Sequence, residues 1–383
     1  MTGAGCLPEI LARAEARRGA LTEAELAFLL RLERENEIGM LCDAAYRVKL
    51  REVGKTVHLR GLIELGNRCV KNCLYCGIRR DNTRENRFTL TMDEVLAGAE
   101  QILAFGYGSL VLQAGERTDV RWTDFITEAV RKIRELDHGA LGITLSLGEQ
   151  SEEIYRQWFE AGAHRYLLRI ESSSPELYAT LHPADVLHRF APRLEALRAL
   201  RRIGYQVGTG VMSGLPGQTA EDLARDLIFF RDLDIDMIGM GPYLPHHATP
   251  LGQKVLAEGS FDPARQLSIG LKMIAAARLL LHDVNIASTT ALQALAPDGR
   301  ERGLLAGANV MMPNVTAAGY RANYQLYDNK PGCDENAEES RAALERSVAA
   351  IGETVEYGAW GDSPHFRHRH DAKSVTTQSQ EVR

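Results

Sequence analysis

Long apolar runs are missing from this sequence of 383 residues. No stretch approaches the roughly 20 apolar residues that a membrane-spanning helix needs, and the chain does not open with a basic segment followed by an apolar one. We therefore expect a cytoplasmic protein without a membrane partner. An excess of positive charge is missing too, since 45 basic against 51 acidic residues give a net charge of −6. This balance argues against nucleic acid as a partner, because binding a phosphate backbone requires a basic surface.

Cysteine is scarce, and the distribution of the six residues is typical of metal binding in a reducing compartment and not of a disulfide framework. Three of them lie close together, in Cys69-Val-Lys-Asn-Cys73-Leu-Tyr-Cys76. A cluster of four irons normally takes four thiolates, so three indicate a [4Fe-4S] cluster with one iron left open. A structural zinc site is the first alternative, but no nearby Cys or His completes four ligands. Three unrelated buried thiols are the other alternative.

Short apolar runs alternate with amphipathic segments from about residue 58 onward. The runs predict eight strands: His58–Leu65, Ser109–Gln113, Gly142–Leu147, Arg165–Ile170, Tyr205–Met212, Asp236–Met240, Asn285–Thr289 and Ala308–Met312. The segments between them are long enough for helices, and Thr91 and Thr219 open helix-capping motifs. This alternation predicts an α/β fold, a (β/α)8 TIM barrel. An open, doubly wound sheet is the alternative.

The barrel is expected to occupy residues 55–330. Residues 1–54 have helical periodicity and are predicted to be an N-terminal helical extension, and residues 331–361 a C-terminal helical segment. Residues 362–383 are polar and are predicted to be a disordered tail. We expect the histidines of this tail, like the adjacent His246 and His247, to be solvated and not to bind a second metal.

Several polar side chains are expected to point into the barrel. The cysteine loop directly follows the first predicted strand, at the end where TIM barrels place their active sites. Alternate positions of a strand share one face, which brings inward Gln113, Thr144 with Ser146, Arg169 with Glu171, and Thr290. Buried polar groups cost free energy unless they are hydrogen-bonded, so these are candidates for contact with a ligand. Arg169 and Glu171 could instead satisfy each other.

Two further motifs border this region. Gln113-Ala-Gly-Glu116 ends the second strand, and Glu116 could accept a hydrogen bond from an ammonium or hydroxyl group. The glycine run from Gly208 to Gly217 lacks the Gly-Lys-Ser/Thr ending of a P-loop and indicates a ligand against the backbone. Tyr320, Tyr324 and Tyr327 have helical spacing, for which ordinary packing is an equal explanation.

The Cys-x3-Cys-x2-Cys loop after a first barrel strand resembles that of the radical S-adenosylmethionine (SAM) superfamily. The surrounding motifs are similar to the HydE family of [FeFe]-hydrogenase maturases, among them Tyr166-Leu-Leu-Arg-Ile-Glu171, Gly214-Leu-Pro-Gly-Gln-Thr219 and Ala308-Asn-Val-Met-Met-Pro-Asn314. The similarity covers roughly residues 55 to 330.

The resemblance implies a [4Fe-4S] cluster on Cys69, Cys73 and Cys76 whose open iron binds the amino and carboxylate groups of SAM. One-electron reduction then cleaves SAM to a 5′-deoxyadenosyl radical. Cofactor contacts are implied at Tyr75, Gly115, Glu171 and Arg189, with the arginine suited to the carboxylate. The implied substrate-facing residues are Gln113, Thr144, Ser146, Arg169, Met237, Thr289, Thr290, Met312, Tyr324 and Tyr327.

The implied substrate is an iron-cysteine carbonyl-cyanide complex made by the maturase HydG, and the product passes to the scaffold HydF. An electron donor is implied as well. The chain departs from the family pattern at Ala114, where Ser is common, and in having only Cys333 where some members hold an auxiliary cluster on three cysteines. Biotin synthase is disfavoured because no further cysteine falls on a predicted strand. A methylornithine synthase-like mutase and a non-catalytic iron-sulfur carrier are the remaining alternatives.

Overall fold

The structure, a computed structural model, describes residues 6–136, 138–332 and 337–371. Helices precede the barrel, surround it and follow it: α1 (Leu7–Ala16), α2 (Glu23–Leu30), α3 (Glu35–Glu52), α4 (Met92–Ala104), α5 (Val120–Leu136), α6 (Glu152–Ala161), α7 (Pro175–Thr180), α8 (Phe190–Ile203), α9 (Ala220–Asp232), α10 (Pro250–Ala257), α11 (Pro263–Leu281), α12 (Thr290–Leu295), α13 (Gly299–Leu305), α14 (Ala318–Arg321) and α15 (Ala337–Ala350). In the described part of the chain, none of them combines the length and the apolar composition needed to cross a membrane.

Parallel strands form the wall of the barrel. The strands are β1 (Thr56–Leu59), β2 (Gly61–Gly66), β3 (Ser109–Ala114), β4 (Gly142–Ser146), β5 (Arg165–Leu167), β6 (Gln206–Thr209), β7 (Met212–Ser213), β8 (Met237–Ile238), β9 (Gly241–Pro242), β10 (Asn285–Ile286), β11 (Val310–Met311) and β12 (Thr354–Glu356). Seven of them pair side by side in the order β2-β3-β4-β5-β6-β8-β10. Chain order and spatial order agree along this sheet, as expected for repeated strand-helix units.

Strand β11 closes the ring. The Asn309 amide donates to the Ile286 carbonyl of β10 at 2.9 Å, and the Arg60 amide, between β1 and β2, donates to the Met311 carbonyl at 3.0 Å. Each of the eight predicted runs contains a strand of this barrel. The predicted (β/α)8 TIM barrel is therefore confirmed, and the open sheet is not.

The helices pack against the barrel through one apolar face. Helix α5 is typical, because Trp122, Ile126, Val130 and Ile133 recur at helical spacing and are all buried. Each such side chain contributes about 1.5–3 kcal/mol when it is fully removed from water. Strands β2 to β6 are buried on both faces, so their apolar residues serve both the lumen and the outer helices.

The C-terminal residues close the lower end of the barrel, where the strands begin. Strand β12 pairs in parallel with β1, and the Gly361 carbonyl accepts hydrogen bonds from Arg60 Nη2 (3.1 Å) and Asn285 Nδ2 (2.8 Å). Residues 331–361 therefore hold a strand as well as helix α15. We refer to residues 352–371 as the lower plug.

The sequence predicted a disordered tail from Asp362, and the structure differs over the first part of it. Residues 364–371 are helical, and Arg369 donates to both carboxylate oxygens of the buried Asp236, at 2.7 and 2.9 Å. His365, expected to be solvated, is buried and lies 2.7 Å from Asp234. Asp234 and Asp236, which directly precede β8, thus bind this basic segment through hydrogen bonds and ion pairs. Residues 372–383 lie outside the described residues.

Candidate active site

The cysteine loop, residues 67–90, leaves the upper end of β2 and is fixed by hydrogen bonds on several sides. The Val70 amide donates to Glu116 O (2.8 Å), the Leu74 amide to Leu181 O (2.9 Å) and the Gly77 amide to Leu326 O (3.0 Å). Inside the loop, the Arg87 guanidinium donates to four backbone carbonyls at 2.5 to 2.9 Å. Hydrogen bonds to three other segments therefore fix the position of the loop backbone.

The three loop thiols face one cavity of about 360 Å³ at the upper end of the barrel. Burial, together with the charge of a thiolate at Cys69, raises the pKa of the Cys73 thiol to about 12. Burial likewise raises the pKa of Cys69 and Cys76. Thiolates here need cationic partners, which bound irons supply.

The spacing of the thiols favours a cluster over a single ion. Among the described residues, one group of three metal-binding side chains has all its ligand atoms within 4.8 Å, namely His246, His247 and Asp328. The three thiols do not meet that spacing, as expected when each binds a different iron.

The histidine group is a poor metal site because His246 Nδ1 accepts the Ala248 amide at 3.1 Å, which leaves the proton on Nε2. His246, expected to be solvated, is buried.

Most of the residues that the sequence placed around the ligands line this cavity. They are Tyr75, Gln113, Gly115, Glu116, Ser146, Arg169, Glu171, Thr289, Thr290, Met312, Tyr324 and Tyr327. Thr144 and Met237 lie deeper in the barrel and are buried outside the cavity lining; Met237 Sδ is 3.0 Å from Arg60 Nη1. Arg189 is exposed at the start of α8 and does not line the cavity.

Arg193, one turn after Arg189, does line the cavity. Its Nη1 lies 2.7 Å from Glu149 Oε1, and its Nε donates to the Arg169 carbonyl at 2.6 Å. Burial would lower the pKa of Arg193, but Glu149 and Glu116 hold it well above its usual range. Helical periodicity could have suggested Arg193, because residues four apart lie on the same face of a helix. The two arginines nevertheless differ in burial.

Lys71 of the cysteine loop completes a buried charge network. Its Nζ lies 3.1 Å from Glu149 Oε1 and 3.3 Å from Glu116 Oε1, and it also donates to the Leu187 carbonyl. Glu116 Oε2 accepts the Glu149 amide at 2.9 Å. Burial raises the pKa of Glu116, and Lys71 opposes that rise. Two carboxylates and two cations therefore join the cysteine loop to α8.

Arg169 and Glu171 form an ion pair, but the pair does not satisfy both partners. Arg169 Nη2 lies 3.1 Å from Glu171 Oε2 and donates to Val211 O at 2.9 Å. Within the described part of the chain, Arg169 Nε and Glu171 Oε2 are buried without an aligned hydrogen-bond partner. Glu171 also has a φ of 67°, a conformation that a non-glycine residue adopts at a cost. Both features fit a carboxylate held ready for a ligand.

Residues 318–332 border the cavity from the opposite side, and the two late tyrosines reach in from them. The Tyr324 hydroxyl accepts from Gln113 Nε2 (3.2 Å), and the Tyr327 hydroxyl lies 2.9 Å from Thr290 Oγ1. Helix α14 ends at Arg321, so these tyrosines lie outside a helix and the packing explanation does not apply to them. Lys330 pairs with the buried Glu64 beside them, a contact that the sequence did not suggest.

Comparison with known proteins identifies the class to which this protein belongs. The sequence profile of the radical SAM superfamily matches residues 63–230, which contain the cysteine loop and β3 to β6. The solved structure of methylornithine synthase (PylB) superposes with a TM-score of 0.75 over 92% of this chain and 98% of that one, at 24% identity, which shows a shared fold. The protein is a radical SAM enzyme, and this class uses a [4Fe-4S] cluster and SAM.

Within that class, sequence identity distinguishes a hydrogenase maturase from a methylornithine synthase as relatives of this chain. The [FeFe] hydrogenase maturase subunit HydE of Thermotoga maritima is 42% identical over 330 residues, covering 86% of this chain and 89% of that protein. The 3-methylornithine synthase of Methanosarcina acetivorans is 27% identical over 308 residues, covering 79% and 83%. The chain belongs to the HydE family.

Proposed function

We propose that this protein acts in [FeFe]-hydrogenase maturation by generating a radical from SAM inside the barrel and directing it to an iron-cysteine carbonyl-cyanide precursor. The observation that carries the proposal is that three separate segments bring complementary groups to the same cavity: the three thiols of the cysteine loop, the Glu171 carboxylate after β5 and the Arg193 guanidinium of α8. When bound, the cluster and SAM supply reductive cleavage of a carbon-sulfur bond. The protein itself supplies binding, orientation and exclusion of water.

The residues divide between the two ligands by charge. Cys69, Cys73 and Cys76 would hold the cluster. Arg193, whose charge the two glutamates stabilise, is suited to the SAM carboxylate, in place of the exposed Arg189. Glu171 lines the cavity, and its Oε2 makes an ion pair with Arg169 but no aligned hydrogen bond in the described structure, so this carboxylate is suited to the SAM ammonium or ribose hydroxyls.

The precursor would occupy the rest of the cavity. Its cyanide and carbonyl ligands are hydrogen-bond acceptors, and the Thr289, Thr290 and Tyr327 hydroxyls and Arg169 Nε offer donors there. Gly241 lies so close to Thr289 that a Cβ would come within 2.9 Å of its hydroxyl, so a side chain at this position would disturb the wall. Tyr324 and Met312 add an apolar surface for the cysteine portion.

The partners of this function are HydG as supplier of the precursor, HydF as acceptor of the product, and a low-potential electron donor. We place the reaction in the cytoplasm, where a reducing environment keeps thiols free for metal binding. The described cysteines are all free, in agreement with that location.

The test is maturation of apo-hydrogenase under anaerobic conditions with HydG and HydF present. Wild-type protein should restore hydrogenase activity, and Cys76→Ala should restore no more than a reaction without the protein. Cys6→Ser, which changes an exposed thiol away from the cavity, is the control and should match the wild type. Maturation by Cys76→Ala at the wild-type rate would refute the proposal.

A further inference from the structure

The surface above the cysteine loop differs from the rest of the protein in charge. The exposed charged residues between positions 68 and 87 are Arg68, Arg80 and Arg84 with one acidic residue, Asp81, whereas the whole chain has a net charge of −6. Arg80 and Arg84 are exposed there, and Arg80 retains about half of its side-chain surface although it pairs with Asp81. A basic face on an acidic protein selects for an acidic partner, because opposite potentials steer two proteins together.

The same face carries exposed apolar side chains. Val186 and Leu187 are 77% and 43% exposed, and Val186 is the most exposed large hydrophobic residue in the described part of the chain. They sit directly on the cysteine loop: the Leu187 carbonyl accepts from Lys71, and the Asn72 amide donates to His188 Nε2 at 2.8 Å. The Arg80 amide donates to the Lys71 carbonyl at 2.9 Å, which brings the basic and apolar groups together.

We propose that Arg80, Arg84, Val186 and Leu187, here called the donor face, form the docking surface for a small acidic one-electron carrier protein that reduces the cluster. The carrier loses one electron and the cluster gains it; no bond forms between the proteins. The proposal rests on the function proposed above, because it requires a reducible cluster beneath the face. A small apolar centre with a charged rim suits such transient contacts, which bury less area than stable complexes.

The experiment compares two reductants on the reconstituted protein in the presence of SAM and measures the rate of 5′-deoxyadenosine formation. Dithionite is a small ion and needs no docking surface, whereas reduced flavodoxin is an acidic one-electron carrier. The variants are Arg80→Ser with Arg84→Ser, and Val186→Ser with Leu187→Ser. Arg131→Ser with Leu136→Ser, on the exposed side of α5, is the matched control.

Each donor-face variant should require about tenfold more flavodoxin for half-maximal rate, and the arginine variant should lose most of its salt dependence. With dithionite, both should equal the wild type, and the control should equal the wild type with either reductant. An unchanged flavodoxin dependence in both variants would overturn the proposal while leaving the enzymatic function intact. A wild type that forms no product with dithionite would instead refute the function itself.

Discussion

The two ends of the barrel use the same strands but treat buried polar groups differently. At the lower end, Arg60 and Arg165 use both terminal nitrogens in hydrogen bonds, and Asp362 lies 3.2 Å from His164. At the upper end, the Thr289 hydroxyl and Arg169 Nε are buried without hydrogen-bond partners among the described residues, and both side chains line the cavity. Arg60 Nε and Arg165 Nε at the lower end also lack partners, but the C-terminal residues enclose those side chains, whereas the upper groups are placed to pair with a ligand.

We therefore expect the upper end of the barrel to serve ligand binding and the lower end to serve the stability of the fold. The upper end receives the loops that follow the strands, and it is where the cavity lies. The lower end receives the lower plug, which brings a strand, a helix and Asp362 against charges that the barrel would otherwise bury alone. Changes at one end should therefore affect ligand binding, and changes at the other should affect unfolding.

The largest effect is expected for Asp362→Asn at the lower end. This change leaves Arg165 and the neighbouring Arg60 without a nearby carboxylate, and breaking a buried charge pair costs about 3 kcal/mol. Urea unfolding should show this loss, while SAM affinity of the reconstituted protein stays within about twofold of the wild type. A loss of SAM affinity with unchanged stability would reverse the assignment of the two ends.

At the upper end, Arg193→Lys should weaken SAM binding by about thirtyfold, because lysine keeps the charge but loses the planar fork, at a cost of about 2 kcal/mol. Equilibrium binding to the oxidised cluster measures this effect. Arg189→Lys is the matched control, one helical turn away and exposed, and should change affinity less than about twofold. If Arg189→Lys showed the larger loss, the carboxylate site would belong to Arg189.

The lower plug should also make stability depend on pH. Burial, assisted by the charge of Arg165, lowers the pKa of His164 to about 4. In the unfolded chain its pKa is near the ordinary 6.5, so the unfolded state takes up the proton first as the pH falls. The His164 contribution is therefore fully present above pH about 6.5 and is lost between there and pH about 4, at up to about 1.4 kcal/mol per pH unit.

The measurement is the free energy of unfolding at a series of pH values, with His164→Gln as the comparison. Glutamine preserves a hydrogen-bonding side chain next to Asp362 but does not titrate, so its curve should be flatter over this window. Parallel curves for the two proteins would show that another group is responsible.

The smallest effect is expected for Arg369→Met in the helical residues 364–371. Arg369 shares the buried Asp236 with Arg201, which lies 3.0 Å from the same carboxylate and would still neutralise it. The cost should therefore be about 1 kcal/mol, well below that of Asp362→Asn. Thermal unfolding of the two variants side by side measures the difference, and an equal loss would mean that the plug is held mainly by its helix.

The sequence was sufficient to predict the features of the molecule that are encoded by short local patterns. Each strand run and each capping motif acts within a few residues, so the order of strands and the position of the cysteine loop could be predicted. Arg193 shows what such reasoning misses, since it lies one turn after Arg189 and only its burial beside Glu149 and Glu116 distinguishes the two arginines. The contacts of the lower plug could not be predicted either, because Arg369 and Asp236 are 133 residues apart in the sequence.

The most direct test of the account is the electron paramagnetic resonance spectrum of the reduced, reconstituted protein, recorded with and without SAM. Three protein thiolates and an open iron predict that SAM alters the spectrum of a [4Fe-4S] cluster and that the wild type then forms 5′-deoxyadenosine. A cluster spectrum that SAM leaves unchanged, with no product formed, would show that the irons are fully ligated by the protein and would contradict the account.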